Sequence, residues 1–182
     1  CHLQGDFAFV IWDGRKKTLY VLRDPLGRKN IYYRRSENAI IFSNQIDAFR
    51  HFPDELTINS KYFLHEVSLY QVPQSLTCYR EVSAIPAAHQ MIVRGNCCQS
   101  KRYWRLSRKP IRYKHKQDYA DEARLILDNA IRVRMRSPYK IGAHLSGGLD
   151  SSAVSVLAAT QLRSKNKKLL LRTHTSPVQI RT

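Results

Sequence analysis

Residues 143–154 read AHLSGGLDSSAV, two glycines, three serines and one aspartate set between apolar runs. The run before, Ile141-Gly142-Ala143-His144-Leu145, is short and mostly apolar, as expected of a buried strand. The run after, Ala153-Val154-Ser155-Val156-Leu157-Ala158-Ala159, can continue as a helix. A strand, a glycine turn and a helix in that order aim backbone N–H groups and the positive end of the helix dipole at one spot, where anions bind. Gly147 and Gly148 allow positive φ and close approach of backbone to ligand, and Ser146, Ser151 and Ser152 offer hydroxyl donors to phosphate oxygens. Asp150 would repel a phosphate unless a divalent cation joined both sets of oxygens, so the pattern points to a nucleotide with Mg²⁺. The common loop G-x-x-x-x-G-K-S/T is absent, since no lysine follows either glycine. An ordinary Gly-Ser turn before a helix is the plain alternative.

Ser146-Gly147-Gly148-Leu149-Asp150-Ser151-Ser152 resembles the SGGxDS pyrophosphate loop of the ATP pyrophosphatases, which cleave ATP to AMP and pyrophosphate while adenylating a substrate. With Leu145 in front, it is most similar to the asparagine synthetase branch. The resemblance implies that Ser146, Gly147, Gly148, Leu149, Ser151 and Ser152 bind the pyrophosphate portion of ATP and that Asp150 holds Mg²⁺. It also implies that Leu145 and His144 lie near the adenosine. A histidine at a strand end can equally be packed or solvated.

The first hundred residues resemble the same family. Phe7 to Trp12 and Thr18 to Leu22, dense in β-formers, flank Asp13-Gly14 and predict a β-hairpin. Ile31-Tyr32-Tyr33 and Ala39 to Phe42 follow turn signals, so four short strands predict an antiparallel sheet. Asn59 to Tyr70 predicts a helix with Tyr62, Phe63 and Val67 toward one side, and Gln90 to Val93 with Arg102-Tyr103-Trp104 a second hairpin around Gly95-Asn96. Gly5-Asp6-Phe7-Ala8-Phe9, Arg23-Asp24-Pro25-Leu26-Gly27-Arg28-Lys29, Phe42-Ser43-Asn44-Gln45-Ile46 and Ile85-Pro86-Ala87-Ala88-His89 resemble the latter part of the glutaminase domain of glutamine-hydrolysing asparagine synthetases. Asn30 stands where that family commonly has proline, Gln45 where it has glutamate, and Ala87-Ala88 where it has Pro-Gly.

These readings divide the chain into residues 1–107, the end of a class II glutaminase domain, a basic proline-containing linker at 108–116, and residues 117–182, the start of a synthetase domain. The expected fold is an α+β first part with an Ntn-hydrolase-like antiparallel sheet, followed by an α/β part with a parallel sheet of the ATP-pyrophosphatase, adenine nucleotide α-hydrolase-like kind. In the second part, Gln117 to Arg136 carries an apolar stripe of Tyr119, Ala123, Leu125, Ile126, Ala130, Ile131 and Val133, expected to pack near the strand before the loop. Lys168 to Leu171 predicts a second parallel strand; Arg172 to Pro177 follows no family pattern.

Cys1 invites the role of an N-terminal nucleophile whose α-amine acts as base. In the resembled family, however, the Gly5 to Phe9 segment lies well after that nucleophile, and Cys1 is followed by His2-Leu3 instead of glycine. The chain is therefore expected to be truncated at its front, with no catalytic residue assigned, and to end before the synthetase domain is complete. Cys1, Cys78, Cys97 and Cys98 have neither zinc-ligand spacing nor the density of a disulfide scaffold, and reduced thiols are expected.

The 182 residues hold 31 Lys+Arg against 14 Asp+Glu, a formal net charge of +17. Such a surface attracts polyanions, yet the basic clusters fall in no recognisable nucleic-acid module, so specific nucleic-acid binding is not expected. No run is long enough to cross a membrane and no basic leader precedes an apolar core, which reads as cytoplasmic. The resemblance implies ATP and Mg²⁺, the substrates glutamine and aspartate, and a homodimer for the complete protein. The implied reaction makes asparagine from aspartate and glutamine-derived ammonia through a β-aspartyl-AMP intermediate. Alternatives are a related amide-forming ligase of the lasso-peptide cyclase or β-lactam synthetase type, an RNA-modifying ATP pyrophosphatase favoured by the charge, and a non-catalytic remnant.

Overall fold

The computed structural model describes residues 3, 5–37, 39–52 and 55–173. Cys1, His2 and the stretch after Thr173 lie outside them. The chain divides into two compact units, Cys1–Arg108 and Lys109–Thr182.

In the first unit, β1 (Ala8–Asp13) and β2 (Thr18–Arg23) form the expected hairpin, in register from Ala8 with Arg23 to Asp13 with Thr18. Asp13 sets the turn, its Oδ1 accepting the N–H groups of Arg15 and Lys16, both at 3.0 Å. Next come β3 (Tyr32–Arg35), β4 (Ile40–Ser43), a 3₁₀ helix (Ile46–His51) and α1 (Ser60–Val67). Then follow β5 (Val82–Ala84), β6 (His89–Arg94) and β7 (Cys97–Arg102).

The first four strands do not make one sheet. The far edge of β2 pairs with β6, giving the order β1-β2-β6-β7, while β3 sits between β4 and β5 in a second antiparallel sheet. The cause is the segment after β2, where Pro25 offers no N–H and Gly27 turns at φ +66°, so the chain leaves the first sheet before β3 begins. Val21, Met91 and Val93 of the first sheet pack with Ile31 and Ile85, and with Tyr33, Ile40 and Phe42 of the second. Each fully buried side chain of this kind contributes about 1.5–3 kcal/mol, which makes this cluster the main support of the unit.

Two local expectations need correction. Helix α1 starts after Asn59 as read, but Tyr62, Phe63 and Val67 share no buried side: Tyr62 is half-buried, Phe63 exposed and Val67 83% exposed. Their offsets of 100° and 400° spread them over two faces of a short helix. The second hairpin exists, but its return strand is β7, and Tyr103-Trp104 lie beyond the pairing. Tyr103 instead donates its hydroxyl to Arg23 O at 2.6 Å and its N–H to Ala88 O at 2.8 Å.

The second unit holds α2 (Lys116–Arg134), β8 (Gly142–Leu145), α3 (Leu149–Arg163) and β9 (Leu170–Thr173). β8 and β9 pair in parallel, with Gly142 opposite Leu170 and Leu145 opposite Thr173. The second strand thus starts two residues later than expected, because the chain turns at Asn166 with φ +54° and Lys167 N–H closes onto Leu162 O at 2.9 Å. α3 packs on β8 and α2 on α3. Ile131, Ala158 and Leu162 are buried, and Gln161 Nε2 donates to the carbonyl and carboxylate of Asp128 at 2.9 and 2.6 Å. The apolar stripe of α2 is largely uncovered, with Leu125 and Ile126 more than half exposed. Among the described residues, no helix is long and apolar enough to cross a membrane.

Candidate functional site

The loop at 146–148 leaves the C-terminal end of β8 and enters α3. Gly147 takes φ +81°, a conformation costly for an L-residue, and a Cβ built there meets nothing within 4 Å. The glycine therefore serves backbone shape, not packing space. Gly148, extended at φ −80° and ψ 159°, is the N-cap, and Ser152 N–H makes the first helical bond to Gly148 O at 3.1 Å. The N–H groups of Gly148, Leu149, Asp150 and Ser151 precede that bond and have no intrahelical acceptor. They form the donor end of a 15-residue helix.

The side chains converge on the same turn. Ser146 Oγ and Ser151 Oγ lie 3.0 Å apart, Ser146 N–H donates to Ser151 Oγ at 3.3 Å, and Ser151 and Ser152 hydroxyls donate to Gly148 O at 3.1 and 2.8 Å. Ser146 through Asp150 are exposed, and Leu149 is 90% exposed. Strand alternation separates the two residues ahead of the loop: His144 is exposed and Leu145 half-buried, so they face opposite sides of β8. Register brings Arg172 beside His144, a cation near the loop's edge that sequence reasoning did not select.

A Mg²⁺-nucleotide suits this donor set. Among the described residues, no three His, Cys, Asp or Glu side chains gather to hold a metal ion. Asp150, in the first turn of α3, is the one acidic residue among Ser146 to Ser152, and Mg²⁺ is characteristically held by one or two carboxylates with phosphate oxygens and water.

In the first unit, three of the four family-like segments meet in one knot. Asp24, 1% exposed, accepts N–H groups from Leu26 and Arg28 on Oδ1 at 3.1 and 3.0 Å, and from Lys29 on Oδ2 at 3.0 Å. Burial pushes its carboxyl up, but the N–H groups of Lys29, Arg28 and Leu26 and the Arg23 charge outweigh burial and hold it below the ordinary value. Arg23 donates to the carbonyls of Lys29, Ile85 and Gly27 at 2.8, 2.7 and 2.8 Å, and to Asn30 Oδ1 at 2.7 Å. The last bond uses a side chain that proline, common at this place, lacks. Asn30 and Gln45, two of the departures, line one open cleft of about 670 Å³ with Asp6, Arg28 and Asn44. Burial pushes the thiol of Cys78 up; Cys78, Cys97 and Cys98 are free thiols.

Comparison with known proteins gives both parts a place. A family model described as glutamine amidotransferase domain matches residues 1–104, and one described as asparagine synthase matches residues 122–179. The chain is 28% identical over 173 residues to asparagine synthetase (glutamine-hydrolyzing) 3 of Bacillus subtilis (strain 168), covering 91% of this chain and 27% of the relative. It is 33% identical over 156 residues to putative asparagine synthetase (glutamine-hydrolyzing) 2 of Methanocaldococcus jannaschii, covering 82% and 30%. It is 29% identical over 173 residues to amidase chry2 of Gibberella zeae, covering 91% and 25%. The chain spans between 25% and 30% of the length of these relatives. A glutamine amidotransferase match over the first part and an asparagine synthase match over the second, in that order, have one reading: the chain belongs to the asparagine synthetase family of glutamine amidotransferases.

Proposed function

We propose that the chain is part of an ATP-dependent amide-forming ligase that makes asparagine from aspartate and glutamine-derived ammonia through a β-aspartyl-AMP intermediate. Residues 1–107 are the back of its glutaminase domain, 108–116 a linker, and 117–182 the front of its synthetase domain. The observation that carries the reading is the junction of β8 and α3, where Gly147 at φ +81° and the Ser146–Ser151 hydroxyl pair shape a turn at the helix's positive end. The N–H groups of Gly148 to Ser151 and the hydroxyls of Ser146, Ser151 and Ser152 bind the β- and γ-phosphates of ATP and orient them as the departing pyrophosphate. Asp150 holds Mg²⁺, which when bound offsets the charge that builds on that pyrophosphate. Leu145 and His144, at the end of β8, lie near the adenosine. The assigned residues bind and orient; none is given proton transfer.

The amidase relatives at similar identity favour a second reading, in which the same loop activates a carboxylate other than that of aspartate. Both readings stand on one test, titration calorimetry of the chain with ATP. Binding that requires Mg²⁺ and is lost in Asp150→Ala is the expected result. Binding that ignores Mg²⁺, or that Asp150→Ala leaves unchanged, removes the assignment. Pyrophosphate exchange in the complete enzyme, dependent on aspartate or on another carboxylic acid, then separates the two.

A further inference from the structure

The +17 charge has no role in the site above. Part of it gathers at the opposite edge of the β8–β9 pair, where the strands begin. The segments leading into them, residues 132–141 and 162–170, contain eight Lys and Arg and no acidic residue. Between these segments lies a cleft of about 360 Å³. Ile141, Leu162 and Leu170 line it with apolar surface, and Lys140, Lys167 and Lys168 stand around it, all three exposed. None of these lysines joins a salt bridge among the described residues. Tyr139, also lining the cleft, is 81% exposed.

An exposed aromatic ring beside an apolar slot, with several cations and no acidic residue in the segments that line it, is the chemistry that binds an unstacked base together with its flanking phosphates. A bilayer surface would call for a broader apolar face, and duplex nucleic acid presents no open base face to the ring. We propose that this cleft binds single-stranded nucleic acid independently of sequence, with phosphates on Lys140, Lys167 and Lys168 and a base stacked on Tyr139.

The test is fluorescence anisotropy of a labelled oligouridylate with the 182-residue chain across a salt series, circular dichroism verifying that each variant is folded. Replacing Lys140, Lys167 and Lys168 together by Gln is expected to flatten the salt slope by about 2, from three contacts at about 0.7 each. Tyr139→Ala is expected to weaken binding to the oligonucleotide about tenfold, with no change in binding to inorganic polyphosphate, which has no base. Excess Mg·ATP is expected not to compete, which keeps this site separate from the loop. Should the triple variant fail to fold, Tyr139→Ala and Lys167→Gln carry the test. An equal loss on replacing Arg15, Lys16 and Lys17 by Gln would overturn the proposal. So would an unchanged affinity in Tyr139→Ala, or tighter binding to phosphatidylserine vesicles than to the oligonucleotide.

Discussion

Replacing Asp24 by Asn tests whether one buried carboxylate holds the family-like segments of the first unit together. The substitution keeps shape and backbone bonds, including Asp24 N–H to Phe7 O at 2.8 Å and Ala88 N–H to Asp24 O at 3.0 Å. The amide oxygen can still accept from Leu26 and Arg28, but an NH₂ group then faces Lys29 N–H, and two donors confront each other. One charge-assisted bond is lost and a donor is left unpaired, a cost of about 1–3 kcal/mol; Asp24→Ala removes three bonds and costs about 3 kcal/mol. The acid limb gives the sign. The folded-state pKa is lowered, so the carboxylate's contribution is fully present above the unfolded value of about 3.9 and is lost as pH falls through the folded value. The stability gap between the parent and Asp24→Asn is therefore full at neutral pH and closes in acid. Urea unfolding followed by tryptophan fluorescence reads this unit specifically, since both tryptophans, Trp12 and Trp104, belong to it. A gap below about 0.5 kcal/mol at neutral pH, within the range of an ordinary surface change, would refute the reasoning. A gap that widens in acid would do the same.

At Gly147 the backbone is strained for an L-residue but the space is open, so the order of substitutions is diagnostic. Gly147→Ala is expected to cost about 1–2 kcal/mol and to weaken Mg·ATP binding about tenfold by calorimetry, whereas Gly147→Asn, which tolerates the left-handed region, retains more affinity. Equal losses would show that bulk, not φ, matters there. Ser155 is 4% exposed and its hydroxyl has no hydrogen-bond partner among the described residues. Ser155→Ala removes that unpaid desolvation and improves helix propensity, for a gain of about 1 kcal/mol, visible as a higher midpoint in thermal denaturation by circular dichroism. A lower midpoint would mean the hydroxyl is satisfied after all.

What could be read from sequence was what short windows contain. The Asp13-Gly14 turn binds its own backbone, and the strand, glycine turn and helix around Ser146 to Ser152 lie in consecutive residues, so both were legible. The division into two sheets was not, because β2 chooses between β3, which follows it at once, and β6, which begins at His89. Nothing in either strand's pattern encodes that choice; it follows from the inner faces of Val21, Met91 and Val93 meeting one core. Arg172 escaped notice for a related reason, since its position beside His144 is a matter of register across the parallel pair. Arg23 was legible as part of a motif but not as a clasp, because the carbonyls it binds come from Gly27, Lys29 and the distant Ile85.

Ala88 shows why residue identity alone misleads at such a knot. The family commonly places glycine there, so alanine reads as a departure. Yet Ala88 holds φ +60°, a left-handed conformation that costs an alanine about 1–2 kcal/mol. The position is pinned from both sides, its N–H donating to Asp24 O at 3.0 Å and its carbonyl accepting from Tyr103 N–H at 2.8 Å, and it is 1% exposed. Two backbone bonds at about 1 kcal/mol each suffice to hold the strained shape. A glycine would take this backbone shape without strain, and this chain reaches it with alanine because Asp24 and Tyr103 clamp the peptide units on either side.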